Sequence, residues 1–174
     1  MNRAILIPLL LTSMFTFAQQ ESNVRSQFER VVPKEMRSSF CSTLQTGVAA
    51  QRRKDWRSLY AIVLPQHRGK SIDDFARAEQ ERDLTILDFR IDRIDVEIEA
   101  DASRKNGMWD VFGCALVNEK GKRVPMESAA TVYLENDSWY IDMIEILMKI
   151  DSPAPPHKCI LKEAIPIANL CNAK

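Results

Sequence analysis

Apolar and polar positions recur along this chain with two different periods, and the change falls after about Arg82. Before it, the period is helical. Met36, Phe40, Leu44 and Val48 are each four residues apart, the spacing that lines one face of an α-helix. Pro33 suits the opening of that helix. Gly47 weakens it slightly, and the polar run through Lys54 ends it. Asp55 is placed to cap a second helix with Trp56, Leu59, Tyr60 and Val63 on its apolar face, and Pro65 stops it. After a loop from Gln66 to Lys70, Ser71-Ile72-Asp73-Asp74 resembles a capping box with Asp in place of Glu. It opens a third, short helix that turns Ile72, Phe75 and Ala76 inward.

Beyond that helix the period falls to two. Leu87, Phe89 and Ile91 alternate with Asp88, Arg90 and Asp92, and then the phase slips. Ile94, Val96, Ile98 and Ala100 alternate with Asp95, Glu97 and Glu99. A single strand with a bulge at Asp92-Arg93 keeps both apolar sets on one face and bends the strand; two strands with a tight connection are the alternative. A polar loop ending in Asn106-Gly107 leads to a second strand, Trp109 to Val117. Glu119-Lys120-Gly121-Lys122 reads as a hairpin turn, Arg123 to Glu135 as a third strand, and Asn136-Asp137 as the next turn. Ser138 to about Ile144 is a fourth strand, and Glu145 to Ile150 is strand or short helix. The pattern predicts an α+β fold, with three N-terminal helices packed on an antiparallel sheet of about four strands.

The two ends look different. Arg3 precedes an uncharged apolar run from Ala4 to Ala18, with small residues at Thr16 and Ala18 before Gln19. This is the layout of a signal peptide over residues 1–18, which places the protein outside the cytoplasm, secreted or periplasmic. An uncleaved anchor or a buried helix is the alternative. After cleavage no stable membrane span is expected. Residues 19–33 are polar and read as a flexible lead-in to a domain over 34–150. Residues 151–174 read as an irregular tail punctuated by Pro153, Pro155, Pro156 and Pro166.

The 24 basic and 24 acidic side chains balance, so no clustered basic face points to nucleic acid. Arg52-Arg53-Lys54 with Arg57 reads as a solvated helix surface. The four cysteines, Cys41, Cys114, Cys159 and Cys171, are an even number in a chain expected to be exported, which favours disulfides. Three pairings are open. Cys159 with Cys171 is the local choice, leaving Cys41 with Cys114; buried free thiols are the alternative. Spacing suggests no metal site and no cofactor.

The helix pair around Lys54-Asp55-Trp56 and Leu59-Tyr60, the short helix led by Ser71 with Phe75, and the closing hairpin from Val132 to Ile141 resemble the nuclear transport factor two-like superfamily. These are the cystatin-like cones shared by ketosteroid isomerases and polyketide cyclases. The resemblance covers about residues 34–145. It implies a strongly curved, cone-like sheet around the helices, a cavity on its concave face, and either binding, catalysis or a homodimer formed through the sheet. Isomerase-like members pair a strand carboxylate with a helix Tyr. Asp110, on the face of Phe112 and Cys114, and Tyr60 are the candidates here for proton transfer. Asp88 and Asp92 point away from the apolar set. Asp92-Arg93 with Asp95 has the residue types of an epoxide-hydrolase centre, but adjacent strand residues face opposite ways.

His67 and His157 follow no nucleophile motif and read as surface residues. Tyr60, Trp109, Trp139 and Met143 could line a pocket for a small apolar ligand, although packing alone accounts for aromatics. The reading is an exported, non-catalytic domain with an apolar pocket that takes a small molecule or a protein partner. An isomerase- or cyclase-like enzyme is the alternative.

Overall fold

The helices follow the apolar spacing closely. In the computed structural model, residues 7–81, 84–98, 106–142, 145–146, 159–162 and 164–172 are described, without the side chains of 7–17, 84 and 145–146. Helix α1 is Ile7–Val31, α2 Arg37–Arg53, α3 Trp56–Ile62 and α4 Ile72–Glu81. Lys54 ends α2 in the left-handed region (φ 56°). Asp55 caps α3, accepting from the Ser58 amide at 3.1 Å and the Ser58 hydroxyl at 2.7 Å. These bonds, the hydroxyl first, hold the Asp55 carboxyl below its ordinary range. Ser71 caps α4 as expected, accepting from the Asp74 amide at 3.1 Å and donating to the Asp74 carboxylate at 2.8 Å.

The sheet is antiparallel and open, in the order β4-β3-β2-β1-β6. Its strands are β1 (Leu84–Ile98), β2 (Asn106–Glu119), β3 (Lys122–Glu135), β4 (Ser138–Ile141), β5 (Glu145–Ile146) and β6 (Ile165–Pro166), with β5 pairing β3. The β2–β3 and β3–β4 hairpins turn at Lys120-Gly121 and Asn136-Asp137, all four at positive φ, as tight two-residue hairpin turns require. The fourth strand stops at Ile141, shorter than the alternation suggested.

One strand does run through Asp92. The β1–β2 register shifts between Ile91 and Arg93, and also between Ile86 and Asp88 and between Val96 and Ile98. Each slip adds one residue on β1, so Ile86, Phe89, Ile91 and Ile94 all reach the core. Leu87, expected in the inner set, is instead the extra residue of the first slip. Gly113 stands opposite Ile91 beside the central slip. A Cβ there would overlap the Arg90 carbonyl oxygen, so the bulged strand can approach only a glycine.

Helix α2 crosses the inner face of the sheet. Gly47 lets it do so closely: a Cβ at that position would lie 2.8 Å from the Ile141 side chain on β4. Phe28, Phe40, Trp109 and Trp139 form a chain of rings through the core. Phe40 meets Phe28 at 5.5 Å and the edge of Trp109 at 5.8 Å, and Trp139 stacks on Trp109 at 5.7 Å. A second, smaller cluster joins Ala50, Leu59, Val63 and Phe75, with Tyr60 packed against it.

Both chain ends are corrected. The segment expected to be flexible over 19–33 is mostly helix α1, and Val24, Phe28 and Val32 belong to the core. The Trp109 indole donates to the Val31 carbonyl at 2.9 Å, and the Arg37 guanidinium caps the Val32 and Glu29 carbonyls. These bonds satisfy oxygens that a helix end leaves without partners. The Gln27 side chain accepts from the Ile94 amide at 3.1 Å, closing the β1 edge just past the bulge.

At the other end, the tail is not irregular throughout. Strand β6 pairs Arg90 with Pro166 and Ile91 with Ile165, and helix α5 (Ile167–Cys171) follows. Ile165, Ile167 and Leu170 are core residues. The disulfides are Cys41–Cys171 and Cys114–Cys159, with Cα separations of 5.6 and 5.5 Å. This corrects the local pairing of Cys159 with Cys171: β6 and α5 between them hold those two cysteines on opposite sides of the sheet edge. Residues 151–158, with His157, lie outside the described residues, as does Met143.

Candidate functional site

Two surfaces carry the residues capable of chemistry or binding. The first is the outer face of the sheet. Along β2, Trp109, Val111, Ala115 and Val117 face the core, while Met108, Asp110, Phe112 and Leu116 occupy the other face. Asp110 shares that face with Phe112 and Cys114, as alternation implied. Its carboxylate accepts from the Thr131 hydroxyl at 2.6 Å. Asp95 stands opposite it on β1 and pairs with Arg93 at 2.9 Å. The Arg93 guanidinium lies over the Phe112 ring at 4.2 Å, a cation–π contact. Asp92 sits at the central slip. Desolvation is the largest influence on it and raises its carboxyl above the ordinary range, against the opposing pull of Arg93.

At the β4 edge, His67 Nδ1 lies 2.8 Å from Asp142, whose other oxygen accepts from the Tyr133 hydroxyl at 3.3 Å. Burial, helped by the Asp142 charge, pushes the Tyr133 hydroxyl up to about 12. His67 thus has an orienting carboxylate that spacing did not reveal, since 75 residues separate the two. The proline at 65 and the turn after it were the available signal: a short helical turn over Pro65–His67 carries the ring to the sheet edge. An oriented histidine needs a nucleophile or a substrate cavity to become a catalytic base. The described partners here are Asp142 and Tyr133.

Asp110 and Tyr60 are held in different places. Asp110 is bonded to Thr131 on the outer face. Tyr60 packs its ring against Phe75 at 5.5 Å and under the Arg68 guanidinium at 5.5 Å, beside α3 and α4. Asp88 is paired with Arg90 at 3.1 Å. Trp109 is 0 % exposed, stacked on Trp139, in edge contact with Phe40 and bonded through its N–H to the Val31 carbonyl. Among the described residues, no group of three or more His, Cys, Asp or Glu is placed to hold a metal. Nor is any helix there long and apolar enough to cross a membrane.

The second surface is a groove of about 520 Å³ between the C-terminal half of α2, β1 and the β6–α5 segment. Val48, Leu87, Phe89 and Ile167 give it an apolar lining, and Arg52 and Arg53 stand on its α2 side. A smaller groove, about 250 Å³, opens beside the Cys41–Cys171 disulfide between Arg25, Phe28 and Arg37. Tyr60, Trp109 and Trp139 line neither groove. The larger groove therefore runs along the β6–α5 segment, where the Pro-rich composition had suggested an irregular tail.

No protein-family model matches this chain, and no curated protein does. Two solved structures are similar. One is the solution structure of a SEC-C motif containing protein from Rhodopseudomonas palustris, 15 % identical, covering 64 % of this chain and 91 % of that one, with a TM-score of 0.34. The other is the crystal structure of a SEC-C motif containing protein from Psychrobacter arcticus, 13 % identical, covering 90 % of this chain and 85 % of that one, with a TM-score of 0.37. The resemblance to the nuclear transport factor two-like superfamily is thereby corrected: the neighbours are SEC-C proteins and not cone proteins. The expected cues, a capped helix pair and a polar turn before a Trp, are general solutions to ending helices and turning hairpins, and many folds share them.

Proposed function

We propose that this chain is an exported, non-catalytic binding module that takes a small, largely apolar ligand in the groove between α2 and the β6–α5 strap. The observation that carries this reading is the groove itself, whose apolar lining comes from three separate parts of the chain. The Cys41–Cys171 disulfide fixes one of those parts, α5, against another, α2. Arg52 and Arg53 on the α2 side, with Asp88 in the same lining, favour a ligand with an acidic head over a basic one. The separation of Asp110 from Tyr60, and of both from the groove, supports binding over proton transfer.

Export, to the periplasm or the medium, is supported by the N-terminal pattern of charge, apolar run and small residues. It is also supported by the use of all four cysteines in disulfides. A cut after Ala18 would spare the described core contacts of α1, which begin at Val24.

Thermal denaturation with a lipid and steroid panel tests the ligand half. Dodecanoate at a hundred times its Kd would stabilise the fold by about 2.7 kcal/mol. Ala168→Trp, at an exposed position in the groove, is expected to abolish that shift while leaving the unliganded Tm near the parent value. No shift with any member, or an undiminished shift in Ala168→Trp, sinks the reading.

A further inference from the structure

The two disulfides are nested: Cys114–Cys159 lies wholly inside the stretch closed by Cys41–Cys171. Their ends bracket one segment. Cys159 is fastened to Cys114 on the outer face of β2, and Cys171 to Cys41 on α2, which packs on the inner face. Between them the chain rounds the β1 edge. The Arg90 guanidinium donates to the Leu161 carbonyl at 3.1 Å, Ile165 and Pro166 pair with β1, and α5 follows. Residues 159–171 are therefore a strap with its two cysteines on opposite faces of the sheet.

Chain statistics favour a different pairing. The native bonds join residues 130 and 45 positions apart, whereas Cys159 and Cys171 are only about 12 apart. Loop-closure probability in an unfolded chain falls as the three-halves power of loop length. Cys159–Cys171 is thus favoured about sevenfold over Cys114–Cys159 and about 35-fold over Cys41–Cys171. Closing it leaves Cys41 with Cys114. A chain exported N-terminus first is oxidised toward the same pairing, because Cys41 and Cys114 emerge before the other two; this second argument rests on the export reading. Neither bond fits the fold. A disulfide needs its Cα atoms within about 7 Å, and the sheet stands between Cys159 and Cys171 and between Cys114 and Cys41. The mispaired chain cannot seat the strap, so Ile165, Ile167 and Leu170 lose their places in the core.

We propose that the native pairing is reached by rearrangement, and that this chain is a client of a thiol–disulfide exchange catalyst where it folds. The fully oxidised, mispaired chain holds no thiol of its own, so the attacking thiolate comes from the catalyst. It attacks Cys171 Sγ, the Cys159–Cys171 bond breaks, and the electron pair leaves on Cys159 Sγ. That thiolate attacks Cys114 Sγ, forming Cys114–Cys159 and releasing Cys41 as thiolate. Cys41 then attacks Cys171 Sγ, closing Cys41–Cys171 and returning the catalyst's thiolate. Every S–S bond broken is matched by one formed, and nothing is oxidised or reduced overall. Docking of the strap's apolar side chains draws the exchange toward the native pair. None of this depends on the larger groove having a ligand.

The test starts from the full chain, reduced and unfolded in urea, and oxidises it with diamide. Alkylation and peptide mass mapping of the first bonds should show Cys159–Cys171 about sevenfold over Cys114–Cys159 and about 35-fold over Cys41–Cys171. Once oxidation is complete and urea and diamide are removed, the mispaired chain should persist until reduced glutathione is added. It should then convert to Cys41–Cys171 and Cys114–Cys159 with no gain in free protein thiol, in hours with glutathione alone and in minutes with a disulfide isomerase. Hydrogen exchange over residues 164–171 should be fast before conversion and slow after it. A native pair leading among the first bonds would overturn the proposal. So would native pairing on urea removal without added thiol, a mispaired chain that survives the isomerase or gains nothing from it, or a strap already protected before conversion. The loop lengths alone are on trial here, so the outcome is independent of the export reading.

Discussion

The inner and outer faces of one sheet show how differently the same alternating strands can be used. On the inner face, Trp109, Val111, Ala115, Val117, Ala130 and Val132 are sealed under α1 and α2. The one polar group among them, the Trp109 N–H, is satisfied by a helix-end carbonyl. On the outer face, Asp95, Asp110, Thr131 and Tyr133 bond to one another or to Arg93 and Asp142, and all stay partly open to water. The carboxylates of the outer face are therefore kept away from Trp109 and the other buried side chains of the inner face. Catalysis in an apolar cavity needs them to meet, because desolvation is what tunes the acid or base. Here alternation itself keeps them apart, one residue to each side of the sheet.

If the inner face carries the stability, its substitutions should cost most. Gly113→Ala is the most severe. Its Cβ would strike backbone at Arg90, and neither strand can yield without losing the slip that keeps Ile91 and Ile94 inside. A cost of about 5 kcal/mol is expected, read as loss of soluble folded protein or of the cooperative denaturation transition. Trp109→Ala comes next. It removes the ring that joins Phe40 to Trp139 and strips the Val31 carbonyl of its donor, for about 4 kcal/mol in urea denaturation. A loss under about 1 kcal/mol for Trp109→Ala would break the contrast between the faces, since that is the outer-face scale.

On the outer face, Thr131→Val keeps the shape and deletes the donor to Asp110. The carboxylate is only half-buried and can recruit water, so about 1 kcal/mol is the expected cost. A cost like that of Trp109→Ala would mean that Asp110 is far less hydrated than its exposure implies, and would reopen it as a tuned acid.

Much of the inner face was legible in the sequence because burial imposes a period. The four-residue spacing of Phe40, Leu44 and Val48 marks α2, and the phase slip at Asp92 marks the bulge. The three-slip pattern of β1 was less visible. Leu87 looks as apolar as Ile86, and only the pairing with β2 decides which of them turns inward. The ends were harder for a different reason. Residues 19–31 offer few apolar side chains, Val24, Phe28 and Val31, so their helical spacing was swamped by polar neighbours. In the strap, the prolines hid the short edge strand of Ile165 and Pro166, yet a proline is tolerated on an edge. The disulfide map and the His67–Asp142 contact join residues far apart in sequence, and no local pattern encodes such a meeting. The groove inherits that difficulty, since its lining comes from α2, β1 and the strap together.

The smallest predicted effect at neutral pH is also the one that separates the faces by mechanism. Tyr133 donates to Asp142, so Tyr133→Phe should cost no more than about 1 kcal/mol at pH 7. Its consequence lies in alkali. Burial, followed by the Asp142 charge, raises the folded-state value from 10.0 to about 12. Between those values the unfolded chain releases the phenolic proton and the folded chain retains it. The native state then binds more protons, and stability falls as pH rises through that window. Lysines and other tyrosines titrate there too, so the informative quantity is the difference between parent and Tyr133→Phe, measured by urea denaturation from pH 9 to 12. The parent's advantage should shrink with pH and then reverse. A constant difference would show that Tyr133 is hydrated like an ordinary surface phenol. The outer face would then hold no partly desolvated group at this edge, and its distinction from the inner face would be complete.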